Sequence, residues 1–163
     1  GNYKSGQQHG FWTNYNEEGR KIEESQWKNG ELFGKTTLWD RSGNKTILKS
    51  FKEDEKDGLW VWWSPNGKKV KEGNFKLGDK NGKWTYYHAN GKKKRLENYK
   101  LGKKNGKLIV WFENGQKERE ESYRNDEKHG KWTYWFENGR LDKEEKYTNG
   151  VQTDGKHYDY FDN

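Results

Sequence analysis

The chain has 163 residues, 27% of them hydrophobic against 36% charged, and a formal net charge of +7. So few aliphatics exclude an ordinary two-layer globule, while ten Trp, ten Tyr and seven Phe argue against disorder, because each ring buries roughly 150–250 Å² and offsets the entropy of ordering the backbone. The absence of Cys excludes disulfides, thiolate zinc sites and Cys nucleophiles, and no apolar run approaches the roughly 20 residues of a membrane-spanning helix.

In chain order the first landmark is Tyr3, and an aromatic then recurs every 24 residues at Trp27, Phe51, Phe75, Tyr99, Tyr123 and Tyr147. Seven residues after each aromatic comes Gly10, Gly34, Gly58, Gly82, Gly106 or Gly130, and sixteen after comes Gly19, Gly43, Gly67, Gly91, Gly115 or Gly139. Three residues in stand Gly6, Gly30, Gly78, Gly102 and Gly150, with Asp54 and Asp126 in the other two repeats. Asp tolerates turn geometry better than most residues. The last repeat is degenerate, matching at Gly155, His157 and Tyr160 if one residue is inserted near Asp154. A fixed period of this length is the mark of a repeat architecture.

Within each unit the order is strand, turn, strand, loop. Lys83–His88 is rich in aromatic and β-branched residues and predicts a strand. Asn90-Gly91 follows, as do Asn66-Gly67, Asn114-Gly115 and Asn138-Gly139 in other repeats, and this dipeptide predicts a two-residue type I′ hairpin turn. A polar strand from about Lys93 to Lys100 comes next, and Gly102–Gly106 leads into the following unit. The expected fold is all-β, one repeat domain over 3–163, an elongated single-layer array of seven tandem antiparallel hairpins advancing about 10 Å per repeat. Two internal ladders, Trp12, Thr36, Trp60, Trp84, Leu108, Trp132 and Tyr15, Trp39, Trp63, Tyr87, Trp111, Trp135, are an odd number of residues apart. They therefore belong on opposite faces, each ring packing against its neighbours.

The pattern aromatic-x-x-Gly-x-x-x-Gly-x-Trp-x-x-aromatic-x-x-x-Gly, as in Phe75 to Gly91, resembles the variant MORN repeat (membrane occupation and recognition nexus), of the kind found in YwqK-type bacterial antitoxin proteins. The resemblance runs from Tyr3 to about Tyr160. It implies a non-catalytic hairpin array with roles spread over scaffolding, toxin neutralisation, surface adhesion and lipid binding. Thr36 and Leu108 replace the usual Trp, so weaker packing is expected at those steps.

Catalysis needs residues that break a pattern and converge, and nearly every residue here obeys the repeat. His9 and His129 precede a repeat glycine at the same phase, and His88 and His157 have no second ligand at metal spacing. No nucleophile-elbow, zinc-protease or phosphate-loop motif is present. Glu23-Glu24, Glu120-Glu121 and Glu144-Glu145 imitate a carboxylate dyad but lie on the polar strand in repeat phase, which predicts solvated cross-strand partners for lysines. No enzyme activity, cofactor or metal is expected.

Charge is where the repeats differ. From Pro65 to Val110 fourteen Lys and Arg stand against three acids, a net of +11, leaving −4 for the rest of the chain. The candidate binding face comprises Lys68, Lys69, Lys71, Lys92, Lys93, Lys94, Arg95, Lys103, Lys104 and Lys107, and its field would steer an acidic partner in a salt-dependent way. Lysine also keeps an exposed, edge-rich sheet soluble. Of the thirty-three basic residues twenty-seven are Lys, which disfavours bidentate phosphate contacts and nucleic acid. The expected partner is another protein with an acidic surface, met by an antitoxin-like or adhesin-like scaffold. Anionic lipid is the alternative, and end-to-end self-association through the last strands is a further expectation. The chain opens on Gly1 and contains no Met, which leaves bacterial cytoplasm and cell surface both open.

Overall fold

A computed structural model describes residues 1–158, and among them there are only strands, turns and connecting loops. The match proposed for Tyr160 lies outside the described residues. The chain forms two compact units, Gly1–Lys80 and a second that begins at Asn81. The first holds β1 (Asn2–Lys4), β2 (Gln7–Tyr15), β3 (Lys21–Lys28), β4 (Glu31–Leu32), β5 (Gly34–Trp39), β6 (Lys45–Lys52), β7 (Glu55–Lys56), β8 (Gly58–Trp63) and β9 (Lys69–Lys76). The second holds β10 (Asp79–Tyr87), whose first residues sit at the boundary, then β11 (Lys93–Lys100), β12 (Lys103–Lys104), β13 (Gly106–Trp111), β14 (Lys117–Arg124), β15 (Glu127–Lys128), β16 (Gly130–Trp135), β17 (Leu141–Thr148) and β18 (Val151–His157). Each unit is a run of antiparallel hairpins in sequence order, for example β13 on β14 from Gly106↔Tyr123 to Trp111↔Lys117, then β14 on β16 at Arg119↔Tyr134. The all-β hairpin array expected from the period is the fold.

The turns differ from expectation. His88 N–H donates to the Lys92 carbonyl at 2.9 Å and Gly91 N–H to the His88 carbonyl at 2.9 Å. Gly91, not Asn90, takes the left-handed backbone, at φ 88°. This is a three-residue loop, a type I turn closed by a left-handed glycine, rather than a two-residue type I′ turn. Asn90 is there for its side chain. Its Oδ1 accepts Lys92 N–H at 2.9 Å, and its Nδ2 donates to the Glu113 carbonyl of the next loop at 3.0 Å. Asn114 does the same with Gln116 and Glu137. Each such asparagine closes its own loop and ties it to the neighbour.

Type I′ turns lie between the repeats instead, where both central residues have positive φ: Asn29-Gly30 (53° and 84°), Leu77-Gly78 (50° and 80°), Leu101-Gly102 (49° and 78°) and Asn149-Gly150 (48° and 82°). At the two positions where glycine is replaced, the aspartate adds a bond that glycine lacks. Asp54 Oδ1 accepts Leu32 N–H and Asp126 Oδ1 accepts Lys104 N–H, each at 2.7 Å. The glycine seven residues into each repeat sits at a bulge. At Gly58, with φ 95°, an added Cβ would stand 3.1 Å from the Cβ of Ser50, so both backbone and space require glycine there.

One face of each sheet carries the aromatic core. In the first unit the Trp60 ring packs edge-on against Phe51 and Phe75, at centroid distances of 5.4 and 5.1 Å. In the second, Trp132 lies 5.3 Å from Tyr123 and 5.1 Å from Tyr147. The indole N–H groups of Trp60 and Trp132 donate to the carbonyls of Ser50 and Ser122, both at 3.0 Å, so these rings bury without an orphaned donor. Trp84 is 1% exposed, and truncating a ring buried so completely to Ala costs about 3–5 kcal/mol. Thr36 and Leu108 are buried at the Trp position too, so the smaller side chains still close the face. The second ladder faces the other way, as strand alternation requires, and the pairing irregularity is taken up by the partner strand, as where Trp62 pairs Lys71 and Trp63 pairs Lys69 around Val70.

The last strand departs from the others. β14 meets β16 at Glu120↔Thr133, but β17 meets β18 at Glu144↔Lys156, one residue out of the repeat phase. Asp154 occupies the bulge-glycine position, and Gly155 does not take the left-handed conformation of its counterparts. The regular bulge therefore cannot form.

Candidate binding surfaces

The second unit contains a polar ladder within its aromatic face. Glu97, Glu121 and Glu145 recur 24 residues apart, and the first two are only 4% and 7% exposed. Each accepts from the tyrosine two residues on: Tyr99 at 2.9 Å, Tyr123 at 2.8 Å and Tyr147 at 3.2 Å. Each also meets the cation two residues before it, Arg95 Nε at 3.4 Å, Arg119 Nε at 2.9 Å and Lys143 Nζ at 3.0 Å. The cations in turn lie over rings, Arg95 at 4.2 Å from Tyr86 and Lys143 at 4.4 Å from Tyr134. A carboxylate thus enters the aromatic core with a hydroxyl donor and a cation beside it, the condition under which a buried charge is tolerated.

This corrects the reading of the acidic pairs. Their two members face opposite sides of the sheet. Glu120 points away from the core and is bracketed by Lys107 and by Lys117 at 2.6 Å, whereas Glu121 is buried on Tyr123 and Arg119. Glu144 likewise pairs with Lys131 while Glu145 holds Lys143 and Tyr147. Glu120 keeps its proton less readily than a free carboxyl because Lys107 and Lys117 donate to it. Burial, reinforced by the hydrogen bond to a carboxylate, raises the Tyr99 and Tyr123 phenols far above their usual range. The signal for the ladder was present, a Glu-x-Tyr spacing with a basic residue two positions upstream, but it is hidden beside outward-facing neighbours of the same charge.

The basic residues fall into three settings. Lys68, Lys69, Lys92, Lys93 and Lys94 are exposed at or beside the three-residue loops, with Lys69 paired to Glu72 at 2.7 Å and the Lys92 ammonium donating to the Asn114 carbonyl at 2.8 Å. Lys71, Arg95 and Lys104 lie on aromatic rings, Lys71 at 4.3 Å from Trp62 and Lys104 at 5.0 Å from Tyr123. Lys103 is exposed beside the type I′ turn at the far end of the hairpin, and Lys107 is tied to Glu120. Lys68, Lys69 and Lys71 belong to the first unit and the rest to the second. Structure therefore brings Lys92, Lys93 and Lys94 together at one loop and turns Arg95 and Lys104 into the core.

His88 Nε2 lies 2.8 Å from the Trp111 carbonyl, and its Nδ1 lies 3.9 Å from the Glu113 carboxylate. Among the described residues no three His, Asp or Glu side chains gather at metal-binding distance. A hollow of 380 Å³ is lined by Lys131, Glu144, Glu145, Lys146, Asp154, Gly155 and Lys156, where Glu144 and Glu145 are both tied to lysines.

A tandem antiparallel hairpin array with bulge glycines at fixed phase defines a repeat scaffold for binding. The model of the MORN repeat variant matches residues 56–77, 80–101, 104–125 and 128–149, more than half of the chain, and the chain belongs to that family. No curated protein matches it.

Proposed function

We propose that this protein is a non-catalytic scaffold that docks a protein with an acidic surface on the loop rim of its second unit. The observation behind this reading is the run Lys92, Lys93 and Lys94, exposed where β11 leaves a loop that is closed by Asn90 and tethered to the next repeat. Cations at a rim raise the rate of encounter and make it salt-dependent, and a loop already ordered loses little entropy on binding. Neutralising a small acidic toxin, as an antitoxin does, and gripping a surface molecule, as an adhesin does, are the two roles this docking would serve.

Anionic lipid is the second reading. Leu77 and Leu101 stand 64% and 57% exposed at turn tips, flanked by Lys76 and Lys80 and by Lys100 and Lys103, an apolar tip among cations that suits a membrane surface. The test is co-purification from the native source at low and high salt, with Lys92, Lys93 and Lys94 intact or all replaced by Glu, alongside sedimentation with acidic vesicles. Capture of one acidic protein, lost on reversal and in salt, supports the protein reading. Vesicle binding that depends on Leu101 instead moves the function to lipid, and capture indifferent to reversal refutes the rim.

A further inference from the structure

The face opposite the aromatic core carries a row in which rings and ammonium groups alternate from strand to strand. In the second unit Tyr87 on β10 pairs with Lys93 on β11, and Trp111 on β13 pairs with Lys117 on β14. Trp135 on β16 follows, with the Lys117 ammonium 5.5 Å from its ring centre. The first unit repeats the arrangement, Lys21 standing 5.1 Å from the Trp39 ring. These rings are half-buried rather than enclosed, and their backbone is fixed, the Trp111 carbonyl being held by His88 at 2.8 Å.

Two features of the row select a ligand. Successive rings are one repeat apart, two strands of about 4.8 Å each, which is roughly 10 Å and far wider than the step of about 3.4 Å between stacked bases. A β-1,4-linked chain of pyranose rings turns each sugar over relative to the last, so rings of one orientation recur every second sugar at about the interval of one hairpin, two strands of about 4.8 Å. The apolar C–H face of a sugar ring also suits the electron-rich face of Trp or Tyr. Between the rings stand lysines, so the sugar spanning two platforms should carry a negative charge. Lys117 is partly neutralised by Glu120 at 2.6 Å, but Lys93 has Leu96 where that glutamate would stand, leaving its strand without a carboxylate at that position.

We propose that this row binds a linear acidic polysaccharide, with Tyr87, Trp111 and Trp135 as stacking platforms and Lys93 and Lys117 meeting the carboxylates of the intervening sugars. The proposal goes beyond docking of a protein at the loop rim: the rings and Lys117 take no part in that docking, and Lys93 alone is common to both surfaces.

The test is titration calorimetry of the intact chain with a β-1,4-linked polyglucuronate (fully C6-oxidised cellulose) at low salt, set against a neutral β-1,4-glucan, polyglutamate and oligo-dT. The polyglucuronate should bind most tightly. Trp111→Ala with Trp135→Ala, Lys92, Lys93 and Lys94 left in place, should weaken it between about two- and tenfold per ring. Lys117→Gln, an exposed substitution that spares the packing, should weaken it several-fold while the circular dichroism and melting curve stay unchanged. Equal binding of polyglutamate, preference for oligo-dT, no binding of the polyglucuronate, or affinity indifferent to both the ring pair and Lys117→Gln would overturn the proposal. A rim variant with only Lys92 and Lys94 replaced by Glu should lose its captured protein and keep the ring-dependent binding of β-1,4-linked polyglucuronate, which separates the two readings.

Discussion

Glu121→Ala and Glu120→Ala remove the same side chain from adjacent positions, yet the first should cost about three times as much stability. Glu121 is 7% exposed, accepts a hydrogen bond from Tyr123 at 2.8 Å and forms an ion pair with Arg119 Nε at 2.9 Å. Hydrogen bonds to a charged group are worth about 1.5–3 kcal/mol each, and deleting the acceptor leaves a phenol and a guanidinium without it in a poorly hydrated site. Arg119 retains Glu118 at 2.9 Å and is 37% exposed, which discounts its share, so a net loss of about 3 kcal/mol is expected. Glu120 faces solvent-exposed lysines, and its deletion should cost about 1 kcal/mol or less. Urea unfolding followed by Trp fluorescence measures both, and a cycle with Glu121→Gln and Tyr123→Phe should give a coupling of about 1 kcal/mol. Equal losses at the two positions, or a coupling near zero, would refute the buried-ladder argument.

Leu77→Asn and Leu101→Asn should each raise stability by about 0.5–1 kcal/mol, because both leucines are exposed in left-handed backbone that Asn adopts at equivalent turns; a fall in the urea midpoint would count against this. Asp126→Ala should cost about 2 kcal/mol, since it loses the bond to Lys104 N–H and keeps the strained backbone, while Asp126→Gly should cost less than about 1 kcal/mol. The raised pKa values of Tyr99 and Tyr123 mean that the folded state holds those protons more tightly than the unfolded chain. Their contribution is complete below the ordinary tyrosine range near 10 and is lost as pH rises above it. Absorbance at 295 nm near pH 11 should therefore show fewer phenolates in the native protein than in urea. Glu120, lowered by Lys107 and Lys117, should give an opposite loss as pH falls below the ordinary carboxylate range.

The period was legible because glycine at the bulge and loop positions answers a left-handed backbone demand, so the first six repeats all display it. The turn type was not. Asn-Gly satisfies a type I′ turn and a type I turn with a left-handed glycine alike, and the same three-residue loop forms with Glu18 or Ser42 in the asparagine's place, so the dipeptide does not specify the turn. Of the true type I′ sites, Asn29-Gly30 and Asn149-Gly150 carry the same Asn-Gly dipeptide in plain view, whereas Leu77 and Leu101 occupy the Asn position in two others and mask them. The candidate lysines were read as one face because their charge is visible in sequence, whereas the ring beneath Arg95 or Lys104 depends on strand register. Buried Glu97 was invisible for the same reason.

The loop and turn ties described above join only adjacent hairpins, and this has a consequence for how such a chain changes length. Loss or gain of a whole 24-residue block leaves every surviving contact with an equivalent partner, so copy number is the dimension along which the molecule can vary cheaply. A one-residue change inside a strand would instead exchange its core face for its ring-and-lysine face. The out-of-phase last strand, with Asp154 at the bulge position, is what that kind of slip looks like when it falls where only one neighbour has to accommodate it.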